Sequence, residues 1–522
     1  MARSLRERRW GPMLAILGVL CITLVATSST LLSFADDGED TAQALRLHVQ
    51  PTYRVLDQPA KPASQGDETD TTDGRLARAE EANTEENTTQ PGRTAEPTGS
   101  APATTELLAG FARLRRESTA EKGTQHSSLG PRTRHDRFDT SVSRQRGVII
   151  ALHDRIVPLG VSLIKDLRCL GNTELIQVYH CFPDELSSES RELLLRNETR
   201  VEIVDVCTDF IEKQLLTMET ATEFRNWWVK PLALYHTDLR EAIILDADVV
   251  ALRDPAVLRT LPGYTHTGTT FFYDRVLPWS LYFNANFEGH AGVQLLRRWI
   301  EVFDYAAFNL TGPAPSRHLL DSLAYSRLTS HEMDSSMVAI DKSRAGKAMD
   351  VLWLLITRTR FELEFSWGDK EAFWLAYEFA HVDYFFSLWG VSVVSSSASR
   401  DMEDHPDTLC GSLAHFMPVD DATPELLYVN GKALIDPYPV GVQESRQANE
   451  NQLFNVRPTH VTPRQVRKEK AYSETRYFDE CLVGMGATPL PATFHWHLLR
   501  RRTFYLGILT GVDSSWNQCT MF

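Results

Sequence analysis

Positive charge is in deficit in this chain. It carries 54 Lys and Arg against 69 Asp and Glu, a formal net charge of -15. The broad basic face that phosphate-backbone binding requires is missing, which excludes nucleic acid as the main partner. Cysteine is sparse: seven in 522 residues, none in CxxC or zinc-ribbon spacing, which argues against a zinc module or a CxxC redox pair. Internal repeats are lacking. A hydrophobic fraction of 43% and a mean hydropathy of -0.26 exclude a multi-span membrane protein. From about Ala35 to Gln145, aromatic and branched apolar residues nearly vanish in favour of Thr, Glu, Gly, Pro and Ala. Such a stretch buries too little to offset its ordering entropy, so 35–145 is expected to be a disordered stem.

Charge is wholly absent from MLAILGVLCITLVATSSTLLSF, residues 13–34, a length that spans a bilayer as one helix. Arg3, Arg6, Arg8 and Arg9 precede it, which puts residues 1–12 in the cytosol and the body in the secretory lumen. A cleaved signal peptide, with small residues near Ala26 or Ala35, is the competing reading and delivers the body to the same compartment. Cys169, Cys181, Cys207, Cys410, Cys481 and Cys519 form an even luminal set that permits disulfides whose pairing the sequence does not give. Sequons at Asn87, Asn197 and Asn309 suit a lumen.

Order is expected from Arg146 onward, as one domain 146–522. GVIIALHD, ELIQVYHCF, VEIVDVC and AIIL are strand-like runs. Between them, 156–171, 187–196 and 224–237 have helical spacing or composition. The alternation predicts an α/β fold with a mostly parallel sheet, ligands lying beyond the carboxyl ends of its strands. The tail FHWHLLRRRTF, with His495, His497 and Arg500–Arg502, reads as a strand with a basic patch.

At one such strand end stands EAIILDADVVALRDP, residues 241–255. On an extended chain Asp246 and Asp248 would point the same way, with no base, thiol or lysine between them. Paired hard oxygens suit Mg²⁺ or Mn²⁺, and such an ion neutralises a departing diphosphate. Two other readings compete. Acids often cap a strand end and turn. DADVV also fits the haloacid-phosphatase nucleophile pattern, which however follows the first strand of its domain, whereas three strands precede it here.

The surrounding segments resemble the fungal-type α-1,3-mannosyltransferase family, glycosyltransferase family 71, of the GT-A class. KPLALYHTDLREAIILDADVVALRDP resembles its donor-site segment, with Lys230, Asp246, Asp248, Asp254 and Pro255 on the pattern and Val249 where Asn is common. GYTHTGTTFFYDR supplies Thr267, Gly268 and Asp274; WGDKEAFWLAY supplies Asp369, Lys370 and Glu371. HEMDSSMVAIDKSR departs from the pattern, with Asp334 for Glu and Ser336 for Gly. The likeness runs from about Arg146 to Ile435.

The resemblance implies a GT-A catalytic domain in a type II Golgi membrane protein. It implies retaining, metal-dependent transfer of mannose from GDP-mannose to a mannose-containing glycan or glycoprotein. It assigns Asp246 and Asp248 to Mn²⁺ or Mg²⁺, Lys230, Asp246 and Asp274 to the donor, and Asp369 and Lys370 to the reacting centre. His415 is the candidate third metal ligand. The family's later histidine falls on Asn430, so the third ligand stays open. A UDP-hexose would use the same aspartates, and the departures at Asp334, Ser336 and Asn430 leave an inactive glycan-binding homologue as an alternative. Trp367 and Tyr273 are the candidate rings for sugar stacking.

Overall fold

The computed structural model describes residues 132–287, 291–398, 407–436, 453–454, 457–468, 481–512 and 519. The uncharged run 13–34 and the stem up to residue 131 lie outside them. Among the described residues no helix is long and apolar enough to cross a membrane.

The main sheet has seven strands: β1 (Arg132–Arg134), β2 (Arg146–Ala151), β3 (Leu175–His180), β4 (Val201–Asp205), β5 (Glu241–Leu245), β7 (Thr269–Tyr273) and β8 (Met333–Asp341), with β6 (Val249–Ala251) leaving for another sheet. Their order is β1-β4-β3-β2-β5-β8-β7. The four strands read from the sequence form the parallel centre, β4-β3-β2-β5. On the flanks β1, β8 and β7 run antiparallel to their neighbours, so the sheet is mixed rather than mostly parallel. β7 and β8 come after the acidic stretch, in segments whose apolar pattern did not mark them as strands.

The central strands are continuous apolar runs because both faces are covered. Ile149, Ala242 and Ile244 pack into one core with Trp374 and Phe379 of the Lys370–Phe379 helix. Their neighbours Val148, Ile150, Ile243 and Leu245 pack into another with Leu163 and Leu167 of the Val157–Cys169 helix. The alternation is that of a pleated strand.

The fold begins earlier than Arg146. β1 lies inside the stretch expected to be stem, and no apolar pattern announces it. Charge holds it instead. Glu202 of β4 is fully buried and receives Arg132, Arg134 at 2.9 Å and Arg144 at 2.8 Å, while Gln177 donates to it at 2.7 Å. Burial alone would raise this carboxyl; the hydrogen bond from Arg144 and the charges of Arg132 and Arg144 outweigh it and bring it down to about 2. A depressed folded value stabilises fully above the unfolded value of 4.5 and is lost as pH falls through about 2. Glu202→Gln is expected to destabilise by about 3 kcal/mol, because it leaves Asp238 alone to balance Arg132 and Arg144. Denaturant unfolding at neutral pH checks this, and the difference from the parent should shrink as pH falls below 4.5.

A second sheet, ordered β6-β13-β12-β9, joins β6 to β9 (Ser392–Val393), β12 (Leu413–Phe416) and β13 (Leu426–Asn430). Between β9 and β12 come β10 (Ser397–Ala398) and β11 (Leu409–Cys410), which belong to a small sheet with two later strands. The chain then returns as an 18-residue helix, Ala492–Leu509, where the sequence suggested a strand. All six cysteines of the expected set are paired: Cys169–Cys519, Cys181–Cys207 and Cys410–Cys481. Asn197 and Asn309 are exposed and left-handed, at φ of 63° and 56°, a conformation asparagine tolerates.

Candidate active site

β5 stops at Leu245, and the Asp246 N–H donates to Ser336 O on β8 at 2.9 Å. The chain then reverses. Val249 N–H donates to Asp246 O at 3.2 Å, which makes 246–249 a β-turn. Asp246 and Asp248 therefore take the first and third places of a turn, not alternate places on an extended strand. The departure of β6 into the second sheet requires that reversal. Both aspartates are half-buried. Burial, and then the neighbouring Asp246 carboxylate, raise Asp248 to about 6.

The turn is held from behind. Arg501, fully buried on the Ala492–Leu509 helix, donates to Ala247 O at 2.5 Å and to Val249 O at 3.3 Å. It also reaches Leu159 O at 3.0 Å and the Ser162 hydroxyl. Next to it, Arg500 pairs with buried Asp166 at 2.7 Å.

Lys230 sits in the Val229–His236 helix, buried, with its ammonium among four oxygens. These are Asp246 Oδ1 at 2.8 Å, Ser335 Oγ at 2.9 Å, Ser335 O at 3.2 Å and Asp369 Oδ2 at 3.2 Å. Three N–H donors are thereby engaged, so in this arrangement Lys230 joins two carboxylates rather than offering a free charge to a phosphate. Burial raises Asp369 to about 6, with the Lys230 charge opposing. Lys370 turns away from Asp369 and pairs with Asp274 Oδ2 at 2.5 Å. Burial would raise Asp274, but Lys370 and Arg275 hold it well below the usual carboxylate range.

His415 is buried between Phe272 and Tyr428, and its Nε2 lies 2.8 Å from Asp334 Oδ2. It does not join Asp246 and Asp248: among the described residues no three His, Cys, Asp or Glu side chains converge on a metal position. Asn430 comes closer. β13 pairs it with Val249, the following Gly431 N–H donates to Asp248 O at 3.3 Å, and its buried Oδ1 has no hydrogen-bond partner among the described residues. Two carboxylates, with Asn430 as a candidate third oxygen through its pairing with the neighbouring Val249, make an all-oxygen donor set, which fits Mg²⁺ or Mn²⁺, ions that keep waters and phosphate oxygens in their remaining positions.

A narrow cleft opens beside Asp274 and Arg275. Its other wall is Gln465–Lys468, Cys481–Val483 and Met485. Tyr273 is unavailable for stacking, since Phe386 lies against one side at 4.8 Å and the Arg467 guanidinium at 4.7 Å. Sequence reasoning missed Ser335, a small residue between two noted departures, and Arg501, hidden in a run of three arginines. It also missed the duty of Glu371, which accepts from Glu332 N–H at 3.0 Å and from the Trp374 indole at 2.5 Å and so fixes the start of β8.

An α/β domain with an acidic turn at the carboxyl end of a central strand, backed by a lysine between two carboxylates, is what residues 132–435 define. Residues 145–414 match the mannosyltransferase family model Mannosyl_trans3, and the chain belongs to that family. The resemblance read from the sequence is thereby borne out. The Alpha-1,3-mannosyltransferase MNT3 of Saccharomyces cerevisiae is 26% identical over 312 residues, 56% of this chain and 47% of that protein. Alpha-1,3-mannosyltransferase MNT2 of the same yeast is 21% identical over 241 residues, 45% of this chain and 42% of that protein. The chain thus spans about half the length of the curated relatives it matches. Among solved structures, the mannosyltransferase Ktr4p of S. cerevisiae aligns with TM-score 0.29 and 12% identity, over 54% of this chain and 78% of that one. A likeness of that size carries no argument, and the fold stands on the sheet described above.

Proposed function

We propose that this protein is a retaining glycosyltransferase of GT-A type that moves mannose from GDP-mannose to O3 of a mannose-containing glycan, with Mn²⁺ or Mg²⁺. One observation carries the reading: the Asp246–Asp248 turn, the Lys230 ammonium and Asp369 meet at the end of β5. The family match and the α-1,3-mannosyltransferases among its relatives support the sugar and the linkage. The uncharged run behind the N-terminal arginines, three disulfides and two exposed sequons support a type II, luminal Golgi setting.

In this reading Asp246, Asp248 and Asn430 hold the cation, which when bound supplies charge neutralisation for the diphosphate leaving group. Lys230 keeps Asp246 and Asp369 ionised side by side, a pair that would otherwise repel. Asp274, fixed by Lys370, accepts from hexose hydroxyls. Asp369 in its ionised form supports the cationic character that develops at the sugar carbon.

Full-length protein incubated with Mn²⁺, a mannoside acceptor and each nucleotide sugar in turn should release GDP from GDP-mannose. Release of UDP alone would overturn the donor, and release of no nucleotide at all would overturn the reaction class. The rate should rise with pH through about 6, the value to which burial lifts Asp369, because deprotonation creates the working form. Asp369→Asn should leave a residual rate at least about 100-fold lower, and a rise that persists in the variant reports Asp248, which burial lifts to the same value.

A further inference from the structure

Four aromatic side chains gather on the Asp369 side of the site. Trp227 and Trp367 are 59% and 48% exposed and meet at Gly368, so they form a patch rather than scattered surface rings. Trp279 lies 5.4 Å from Trp367 at 37°, and Tyr282 lies 6.3 Å from it at 38°. The rings therefore form a shallow cradle instead of stacking shut. Trp227 packs over Gly368, where an added Cβ would stand 3.1 Å from its ring. Gly368 has a φ of 75°, and that turn joins Trp367 to Asp369.

Two further features belong to the cradle. Tyr282 is left-handed at a φ of 51°, a backbone state that a bulky residue rarely adopts and that gathers at ligand sites. Beneath it His331, fully buried, lies 4.7 Å from the Tyr282 ring, and its Nε2 has no hydrogen-bond partner among the described residues. A shallow aromatic cradle beside a carboxylate suits a ligand with C–H faces and hydroxyl edges, which is a pyranose. The cradle adjoins Asp369 through Gly368, whereas Asp248 is flanked by Gly431 and Arg501. The sugar it takes is thus the one approaching the reacting centre from outside.

We infer that Trp227, Trp279, Tyr282 and Trp367 form the subsite for the acceptor's pyranose ring, an inference that rests on the transferase reading above. Because Trp227 and Trp367 project to solvent, their replacement spares the core. Trp227→Ala and Trp367→Ala in the full-length protein should each raise the acceptor KM about tenfold or more. The donor KM should stay within about twofold. Trp367→Tyr, which keeps a ring there, should recover most of the loss. Separately, titration with α-mannobiose should change the intrinsic tryptophan fluorescence of the parent in a saturable way, and the double variant should lose that change. An acceptor KM unchanged in both variants, or a donor KM that rises in its place, would overturn the subsite. The titration needs no turnover. If no donor supports transfer, the transferase reading fails, while the fluorescence result still decides whether the cradle holds a pyranose.

Discussion

Asp248→Ala is expected to lower kcat/KM for sugar transfer by at least ~10³-fold, the loss that accompanies removal of a main electrostatic contributor. The same change should leave the protein at least as stable as its parent at pH 7. Both expectations have one cause. Burial, and then the Asp246 charge, raise the Asp248 carboxyl to about 6, so its ionised form weakens the fold at pH 7 instead of strengthening it. A residue that costs stability where it stands marks a site selected for function. Chelation of divalent ions should reproduce the loss in the parent and have little further effect on the variant. Mn²⁺ titration by electron paramagnetic resonance should show weaker binding in Asp248→Ala. Activity within about tenfold of the parent would remove the acidic turn from the mechanism.

Arg501→Leu should lower stability by about 3–5 kcal/mol, from removing one member of a buried charged network, and should weaken cation binding with it. Leucine fills much of the volume but donates to nothing. The carbonyls of Ala247 and Val249 would lose their partner. Asp166 would lose a nearby charge, although Arg500 still pairs with it at 2.7 Å. The turn that carries Asp246 and Asp248 rests on those two carbonyls, so Mn²⁺ affinity should fall along with the unfolding midpoint. Arg501→Lys should recover only part of either, because an ammonium lacks the planar fork that reaches several carbonyls at once. Thermal unfolding and Mn²⁺ titration of both variants check this. An unshifted midpoint would mean that the helix does not brace the turn.

How far the sequence reveals this molecule depends on what kind of force holds each part. The runs that became β2 to β5 were legible because both faces of those strands are buried, which forces unbroken apolar stretches. Asp246 and Asp248 were legible because the segments around them, through Asp274 to Asp369 and Lys370, keep one family's pattern in order, whereas the two acids alone would equally cap a strand end. Their turn was not, since the reversal is imposed by a sheet formed with residues some 180 positions later, Leu426–Asn430. β1 escaped notice because arginines around Glu202 fix it, and patterns of hydrophobicity do not register charge pairing. The Ala492–Leu509 helix was misread for a related reason: Arg500 and Arg501 are buried with Leu498 and Phe494, so its inward face does not look apolar. His415 was a reasonable candidate on type alone, yet Asp334 and two aromatic rings occupy it. Asn430, chemically plainer, is the residue left with an unused oxygen.

The central claim is retaining transfer of mannose, and the most direct test is the product itself. Full-length protein, Mn²⁺, GDP-mannose and α-mannobiose should yield a trisaccharide whose new residue shows the α-anomeric proton signal and a linkage to O3 in the first product formed. A β-linked first product, or a product formed only from a UDP-sugar, would contradict the account.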